Sequence, residues 1–372
     1  MGTKNNVPRD ITAYLSTILK ELSRPQRSNF LLYLTGLIWM IKFRSIREIV
    51  REFSHKSIDA LHHFISNTPQ ASTAINHAHK KQTAHMVNAT NKATIIIDDT
   101  TCSRKGKHIE DIGYHRGADG LVKGLCAVSV IIRTTIYQFA WALTPYYQKR
   151  YCLANTFKTK IQLADEHLCE LIKTITVPVL VLMDSWYSCA QILTRIQHAH
   201  WQYVAAIKSN RVVYRKGRKI TVSTLAKMRS SRYRTVKRPR SGKPIRVAWH
   251  TVSLAKIGMV RLCICRDQKE INYFICNDWN VTAQTIMEHY WQRFHIEHFH
   301  KDIKQHLGFE ELFMRKRHGI QKHWLLVVIA YNTIILWNTP HNESFRQKIF
   351  CFRKKIAHHK LFRVQRSVKI AA

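Results

Sequence analysis

Thr94-Ile-Ile-Ile-Asp-Asp-Thr100 is a short apolar run that ends in two carboxylates. An almost wholly apolar run of this length predicts a strand that is buried on both faces, as in a parallel sheet. A second run, Val177-Pro-Val-Leu-Val-Leu-Met183, has the same character and is followed by Asp184. A helical segment at 188–199 and another strand at 201–207 come next. This alternation predicts an α/β fold with acidic side chains at the carboxyl edge of the sheet.

The two adjacent acids of the first run are not equivalent. Neighbouring side chains on a strand point to opposite faces, so only one of Asp98 and Asp99 can face a site at that edge. The residues alone leave open which of the two it is.

A third stretch, residues 290–304, places four functional side chains on one side of a predicted helix. Tyr290, Arg293, Glu297 and Lys304 stand at offsets 0, 3, 7 and 14. At about 100° per residue they fall in one narrow stripe, spread over roughly 21 Å. A carboxylate flanked by donors suits a site that holds a metal ion and binds phosphates.

The flanking sequence predicts that this helix is continuous. Thr282 or Asn280 can cap its start, and Gly308 can end it. Within it, the segment His295–His300 is rich in histidine, but no second ligand cluster follows at the spacing of a zinc site. We therefore do not expect zinc, and we expect His300, near the stripe, to contact DNA.

The charge of the chain indicates a polyanionic partner. Sixty Lys and Arg stand against 23 Asp and Glu, a formal charge of +37 distributed over all 372 residues. Such an excess repels itself in an isolated fold, and nucleic acid is the natural counterpart. A hydrophobic fraction of 45% argues for large globular cores rather than a basic tail.

Cysteine usage and hydropathy favour a cytoplasmic protein. The nine Cys form no CxxC pair, which indicates reduced thiols. The first residues lack the apolar core of a signal peptide. The apolar runs Phe30–Ile41 and Trp324–Trp337 are too short and too interrupted to span a bilayer, so we expect two core helices and no membrane partner.

Local patterns divide the chain into three segments. Residues 1–90 are predicted to form an all-helical domain, in which Ser45–Phe53 and Ser57–Ile65 resemble a helix-turn-helix, although a plain α-hairpin fits equally well. Residues 91–340 are predicted to form the α/β domain, with antiparallel strands at 125–143 and a β-rich insertion at about 208–276 that contains basic turns such as Lys237-Arg-Pro-Arg240. Residues 341–372 are predicted to be a basic C-terminal tail.

Taken together, the three stretches resemble a known family, the DDE transposases of bacterial insertion sequences. Asp99-Thr-Thr101, Asp184-Ser-Trp-Tyr187 and the four residues of the 290–304 stretch carry the resemblance. More narrowly, Tyr290-x2-Arg293-x3-Glu297-x6-Lys304 is similar to the Tyr-Arg-Glu-Lys signature of one subgroup. The resemblance covers roughly residues 24–340.

The resemblance implies an RNase H-like catalytic core with a β-strand insertion, which would cut DNA at transposon ends and transfer the strands to target DNA. It implies Asp99, Asp184 and Glu297 as catalytic residues and as ligands of two Mg²⁺ or Mn²⁺ ions; Asp99 is preferred because the family's acid directly precedes Thr. It implies that Tyr290, Arg293 and Lys304 bind DNA phosphates. The expected partners are double-stranded DNA, at the transposon ends and in the target, and a second copy of the chain at synapsis. The expected location is the bacterial cytoplasm at the nucleoid.

Two other functions remain open at this point. A two-metal nuclease on the same core would cut DNA without joining it. A catalytically silent derivative would bind DNA as a repressor.

Overall fold

The computed structural model describes residues 7–54, 57–104, 106, 108–117, 120–153, 155–228, 232–237, 241–267, 270–337 and 343–367. The helices are α1 (Arg9–Lys20), α2 (Arg24–Trp39), α3 (Ile46–Phe53), α4 (Ile58–Asn67), α5 (Pro69–Asn88), α6 (Lys160–Thr174), α7 (Ala190–His198), α8 (Val222–Lys227), α9 (Ala283–Trp291), α10 (His295–His306), α11 (Arg317–Ile335), α12 (Phe345–Lys355) and α13 (His359–Ser367). Short 3₁₀ turns lie at Lys149–Tyr151 and Gln292–Phe294. The strands are β1 (Ala93–Ser103), β2 (Gly113–Gly117), β3 (Gly120–Arg133), β4 (Gln138–Tyr146), β5 (Val179–Met183), β6 (Gln202–Ala206), β7 (Val212–Arg215), β8 (Arg218–Thr221), β9 (Arg234–Lys237), β10 (Pro244–Leu254), β11 (Gly258–Arg266) and β12 (Ile271–Cys276).

The fold is mixed α/β, and its contacts divide the chain into two compact units. The first unit comprises 1–90, 99–158 and 298–372, and the second comprises 91–98 and 159–297. The division falls inside β1, after Asp98, and inside α10, after Glu297. The units therefore do not follow the three segments drawn from local sequence patterns, because packing joins stretches that lie far apart in the chain.

In the first unit, the residues before β1 are helical, as the periodicity predicts. Ser45 caps α3 by accepting a hydrogen bond from the Glu48 N–H, and Ser57 caps α4 through the Asp59 N–H. Both helices therefore begin where the sequence predicts. The predicted joint between them is Ser54-His55-Lys56, and its last two residues lie outside the described residues. Lys105, Lys107, residues 238–240 of the predicted basic turn and the end of the predicted tail lie outside them as well.

Helix α11 is the core of the first unit. Nearly all of its residues are buried, among them the polar Asn332. The Asn332 amide accepts a hydrogen bond from the Ala140 N–H at 2.8 Å and donates one to the Ala140 carbonyl at 3.0 Å. Here the pairing of β3 with β4 slips by one residue, so the side chain replaces a missing strand partner. The predicted core helices at 30–41 and 324–337 correspond to α2 and α11, and none of the described helices is long and apolar enough to cross a membrane.

The strands of the first unit form a small antiparallel group. Strand β3 pairs with β2 and with β4, which confirms the predicted antiparallel pair at 125–143. Gly124 of β3 lies so close to the Cys102 carbonyl that a Cβ there would come within 2.0 Å of the oxygen. A residue with a side chain would therefore push β3 away from the end of β1.

The segment expected to be a basic tail contains two helices, α12 and α13. Phe352 of α12 packs its ring against Trp39 and Trp337, at centroid distances of 5.2 and 5.3 Å. Phe345 stacks on Tyr331 of α11 at 4.8 Å. Residues 345–367 therefore belong to the folded first unit, because their apolar side chains complete its core.

The second unit is built on a mixed sheet in the order β1-β5-β6-β12-β11-β10-β7-β8, with β9 on β10. Strands β1, β5 and β6 are parallel to one another. The remaining neighbours in this order, β6–β12, β12–β11, β11–β10, β10–β7 and β7–β8, are antiparallel. The buried strands and the β-rich stretch at 208–276 are therefore as predicted. Helix α8 was not foreseen: the Thr221 hydroxyl accepts a hydrogen bond from the Thr224 N–H and starts a helix at Val222.

Candidate functional site

The parallel pairing of β1 with β5 ends at one level of the sheet, and an acid follows on each chain segment. Ile97 of β1 pairs with Met183 of β5, and Asp98 and Asp184 are the next residues. Because the strands are parallel, both carboxylates lie at the carboxyl edge of the sheet, where α/β proteins bind ligands. The sequence predicted this edge from the two apolar runs.

Asp98 is in contact with the functional stretch of the second unit. An Asp98 carboxylate oxygen accepts a hydrogen bond from the Arg293 guanidinium at 2.9 Å. Asp99 belongs to the first unit, where its carboxylate accepts a hydrogen bond from the thiol of Cys126 at 3.4 Å. The alternation of side chains along β1 sends the two acids to different faces.

Arg293 holds two carboxylates at once. Besides Asp98, its guanidinium donates to Glu297 at 2.8 Å, one helical turn further along the chain. The residue is only 8% exposed. Burial on its own lowers the pKa of Arg293, but Tyr290, Asp98 and Glu297 outweigh burial and raise it, so the guanidinium stays charged. The sequence predicts that Arg293 binds DNA phosphates; in the structure its guanidinium is bonded to two acids.

Tyr290 completes this cluster from the side. Its ring lies over Phe274 of β12, with centroids 4.4 Å apart, and the Arg293 guanidinium lies 5.5 Å from the ring centre. Burial raises the pKa of the Tyr290 phenol, and the charges of Asp184 and Asp98 raise it further, while Arg293 lowers it. The phenol is therefore neutral near pH 7 and can donate a hydrogen bond.

Asp184 is oriented by its own loop. One carboxylate oxygen accepts hydrogen bonds from the backbone N–H groups of Trp186, at 2.9 Å, and Tyr187, at 3.3 Å. This local turn fixes the side chain at the end of β5. It also leaves the ring of Trp186 54% exposed beside the acid.

The helix that carries the signature tightens to a 3₁₀ turn near its middle, which the flanking sequence does not predict. A 3₁₀ turn at Gln292–Phe294 separates α9 from α10, so Arg293 lies in the turn between the two helices. A 3₁₀ turn advances about 120° per residue rather than 100°, so three such residues add only about 60° and the four side chains stay on one side of the helix. The predicted ends are confirmed: Thr282 caps α9 through the Thr285 N–H, and Gly308 adopts a φ of 71° after α10.

Lys304 and His300 belong to the first unit. The Lys304 ammonium donates to the Thr101 carbonyl at 2.9 Å and lies 3.6 Å from a Glu310 carboxylate oxygen. The buried His300 forms a 2.7 Å hydrogen bond with the Ser129 hydroxyl, which fixes its side chain in the first unit; its contact with DNA stays a prediction.

The carboxylates of the site are of the type that binds divalent ions. Within the described ranges, no three His, Cys, Asp or Glu side chains are grouped so that they could hold an ion. Carboxylate oxygens are the ligands that Mg²⁺ and Mn²⁺ prefer. Here, however, the Arg293 guanidinium is the cation that Asp98 and Glu297 share.

Sequence reasoning did not assign a role to the Asp98–Arg293 pair, nor to Phe274 beneath Tyr290. The alternation rule already separated the two acids of β1, and it is the signal that identifies Asp98 once the position of Arg293 is known. No sequence signal marks Phe274, because the pairing of β12 with the rest of the sheet is a long-range feature.

The chain matches a known family of proteins. The model of a family described as DDE superfamily endonuclease matches residues 17–267. The matched region includes β1 and β5 with their terminal acids, and it ends before the 290–304 stretch. No curated protein matches the chain.

Proposed function

The chain belongs to the family of DDE superfamily endonucleases, and we propose that it is a transposase, which cuts DNA at the ends of a mobile element and joins those ends to target DNA. Membership of the family implies DNA as the substrate and metal-dependent cleavage as the reaction class. The finer assignment, an RNase H-like transposase of the Tyr-Arg-Glu-Lys subgroup, rests on the spacing of Tyr290, Arg293, Glu297 and Lys304.

The observation that carries the proposal is the cluster at the carboxyl edge of β1 and β5. Asp98 and Glu297 share Arg293, and the charges of Asp98 and Asp184 act on Tyr290. Carboxylates from β1, from the loop after β5 and from α10 are of the type that could hold the two metal ions of a phosphoryl-transfer site. In a chain of only 23 acidic residues, this grouping of acids favours a functional role.

We assign different roles to the two acids of β1. Asp98 is the counter-ion of Arg293, and Arg293 in turn positions Glu297. Asp99, which precedes Thr100 as in the family pattern, is the proposed first catalytic acid, with Asp184 and Glu297 as the other two. Two Mg²⁺ or Mn²⁺ ions are the proposed cofactors, and their chemistry in such enzymes is to activate the attacking oxygen and stabilise the leaving one.

The remaining residues of the signature act on the DNA itself. Tyr290 can donate a hydrogen bond to a phosphate oxygen from its neutral phenol, and Lys304 supplies a positive charge. Arg293 neutralises the carboxylates of Asp98 and Glu297 and holds them in position. The helices α3 and α4 are the proposed DNA-binding element, with α4 as the helix that enters the groove. A homodimer that pairs two ends, acting in the cytoplasm at the nucleoid, completes the proposal.

The test is strand transfer with purified protein. A short duplex that carries the element's ends is incubated with a supercoiled target plasmid and Mg²⁺. We expect ends with a free 3′-hydroxyl and products joined to the plasmid. Cutting without joined products would replace the proposal with a nuclease, and binding without cutting would replace it with a silent DNA-binding protein.

The roles of the neighbouring acids are tested in the same assay by two isosteric variants. Asp99→Asn is expected to abolish cleavage, since it removes a catalytic acid. Asp98→Asn is expected to reduce cleavage and to lower the melting temperature, since it leaves Arg293 with one carboxylate. The reverse pattern would assign the catalytic role to Asp98.

A further inference from the structure

A basic cavity of about 710 Å³ lies next to Asp184 in the second unit. Lys208, Arg211, Lys219 and Lys256 contribute to its lining, and no acidic side chain is among the described residues that line it. The volume is within the range of cavities that hold small organic ligands and is far more than one inorganic ion needs. The uncompensated positive charge selects for an anionic occupant.

Two exposed aromatic rings share this cavity with the cations. Trp186 and Tyr214 both line it, and the Lys208 ammonium lies 5.4 Å from the centre of the Trp186 ring. Large aromatic side chains are normally buried or half-buried, so an indole 54% exposed in a cationic cavity is unusual. Aromatic rings among cations are the recurring means by which proteins bind single-stranded nucleic acid: bases stack on the rings and phosphates pair with the cations.

The backbone around the cavity adds to its preference for phosphate. Ser188, Cys189 and Ala190 line it at the start of α7, a nine-residue helix whose first turn has no side-chain cap. The amide groups of an uncapped helix start favour an anion. On the other side, Lys256 adopts a φ of 65°, a strained conformation for a residue with a side chain, in the hairpin between β10 and β11.

We propose that this cavity is a binding subsite for an unpaired nucleotide segment of DNA, with a base stacked on Trp186 and the adjoining phosphates held by Lys208 and Lys256. The inference rests on the proposed function and deepens it, because the subsite lies two residues from Asp184. The backbone N–H of Trp186 donates a hydrogen bond to the Asp184 carboxylate, so the residue with the stacking ring is attached directly to the acid. The subsite therefore places a strand separated from its complement beside the proposed site of cleavage.

The test measures single-strand binding by the full-length protein without divalent ions, so that no cleavage occurs. The probe is a short oligodeoxynucleotide that contains 2-aminopurine, whose fluorescence is quenched when it stacks on an aromatic ring. We expect the wild type to quench it. Trp186→Ala is expected to lose the quenching and to weaken binding at least about fivefold, the effect of removing one stacked base. Trp186→Phe is expected to retain part of both.

Trp279→Ala is the matched control, since Trp279 is 48% exposed and does not line the cavity. It is expected to leave quenching and affinity unchanged. Lys208→Ala and Lys256→Ala are each expected to lower the slope of log affinity against log salt by about 0.7, the value for one phosphate contact on a single strand. Affinity of all variants for fully paired duplex is expected to depend little on residue 186.

The proposal is overturned if Trp186→Ala, folded with an unchanged melting temperature, binds and quenches as the wild type does, or if Trp279→Ala has an equal effect. If Trp186→Ala lowers the melting temperature, the test rests on Trp186→Phe. Absence of quenching by folded Trp186→Phe would then overturn the proposal. A separate cleavage assay with Mg²⁺ distinguishes failure of the subsite from failure of the proposed function. Quenching without cleavage contradicts the transposase assignment and supports the subsite. Cleavage without quenching supports the transposase assignment and contradicts the subsite.

Discussion

Arg293 is the residue on which the geometry of the candidate site depends. Its planar guanidinium has several donors in a fixed arrangement, which lets it hold Asp98 and Glu297 at the same time. A lysine in its place would supply one point charge on a flexible chain. The two acids come from a strand and from a helix, so the guanidinium also ties α10 to the end of β1.

Replacing Arg293 is therefore expected to cost both stability and activity. Arg293→Ala leaves two carboxylates without their shared cation, which we expect to lower the free energy of unfolding by about 2–4 kcal/mol. DNA cleavage is expected to fall at least about a hundredfold. Arg293→Lys is expected to recover part of the stability and little of the cleavage. Thermal melting and a plasmid-nicking assay measure the two effects.

Arg51→Ala is the control for this experiment. Arg51 pairs with Glu48 on the surface of α3, where an ion pair contributes less than about 1 kcal/mol. Its removal is expected to leave melting within error of the wild type. Equal losses from both variants would mean that Arg293 is one surface charge among many and does not organise the site.

Helix α11 illustrates how an element is fixed by a buried charge. Lys322 is 1% exposed, and its ammonium donates to the carbonyls of Phe64, at 2.5 Å, and Thr68, at 2.7 Å, and to the Thr68 hydroxyl, at 2.5 Å. These acceptors lie at the C-terminal end of α4, where helix carbonyls lack partners. One side chain of α11 thus caps α4.

We expect Lys322→Met to destabilise the protein by about 2–4 kcal/mol, because the methionine fills the space but removes the donor of three buried or partly buried hydrogen bonds. Thermal melting at pH 7 gives the measurement. Lys20→Met, at the exposed end of α1, is expected to change stability by no more than about 0.5 kcal/mol. A melting temperature of Lys322→Met equal to that of the wild type would show that the cap contributes nothing.

Asp302, in α10, makes the stability of the protein depend on pH. Burial raises its pKa from about 3.8 to about 7, an effect that the charge of Lys301 only partly opposes. The unfolded chain releases this proton near pH 4, whereas the folded chain keeps it until about pH 7. Ionisation therefore costs the folded state stability as the pH rises from 4 to 7, and the full cost is present above pH 7.

Asp302→Asn removes this cost and is expected to stabilise the protein at pH 8 but not at pH 4, by a difference of about 1–2 kcal/mol after allowance for solvent screening. Denaturant unfolding at both pH values measures it. The exposed Glu52→Gln is expected to show no such pH-dependent gain. A gain of equal size at pH 4 and pH 8 would contradict the assignment of the shift to Asp302.

How far the sequence predicts an element depends on whether its cause is local. The caps at Ser45, Ser57 and Thr282 and the buried strands before the acids follow from neighbouring residues, and the structure has them there. The 3₁₀ turn at Gln292–Phe294 contains neither Gly nor Pro, so no local signal marks it. Its position comes with the long-range contact of Arg293 with β1.

The C-terminal helices have the apolar spacing of buried helices, although their high positive charge suggests an unfolded tail. Phe345, Ile349 and Phe352 recur at helical spacing and are all buried, yet the many basic residues between them suggest a solvated tail. The apolar spacing, and not the charge, predicts the outcome. For the candidate site, the sequence supplied the acids and the signature, while the partners of Arg293 and the ring beneath Tyr290 needed the fold.

On the scale of the whole molecule, the formal charge of +37 governs how the protein meets DNA. We expect affinity for duplex DNA without the element's ends to fall about a thousandfold or more between 50 and 200 mM salt, since each phosphate contact releases counterions. Fluorescence anisotropy across a salt series measures this. A loss below about tenfold would show that the charge faces away from DNA.

The central claim is that the acids of the candidate site cut DNA with the help of a divalent ion. The most direct measurement is the nicking of a supercoiled plasmid that carries the element's ends, by the wild type and by Glu297→Gln, with Mg²⁺ and with EDTA. We predict nicking by the wild type in Mg²⁺ only, and none by Glu297→Gln, which still binds the ends and melts within a few degrees of the wild type. Nicking by Glu297→Gln at the rate of the wild type, or undiminished nicking in EDTA, would contradict the account.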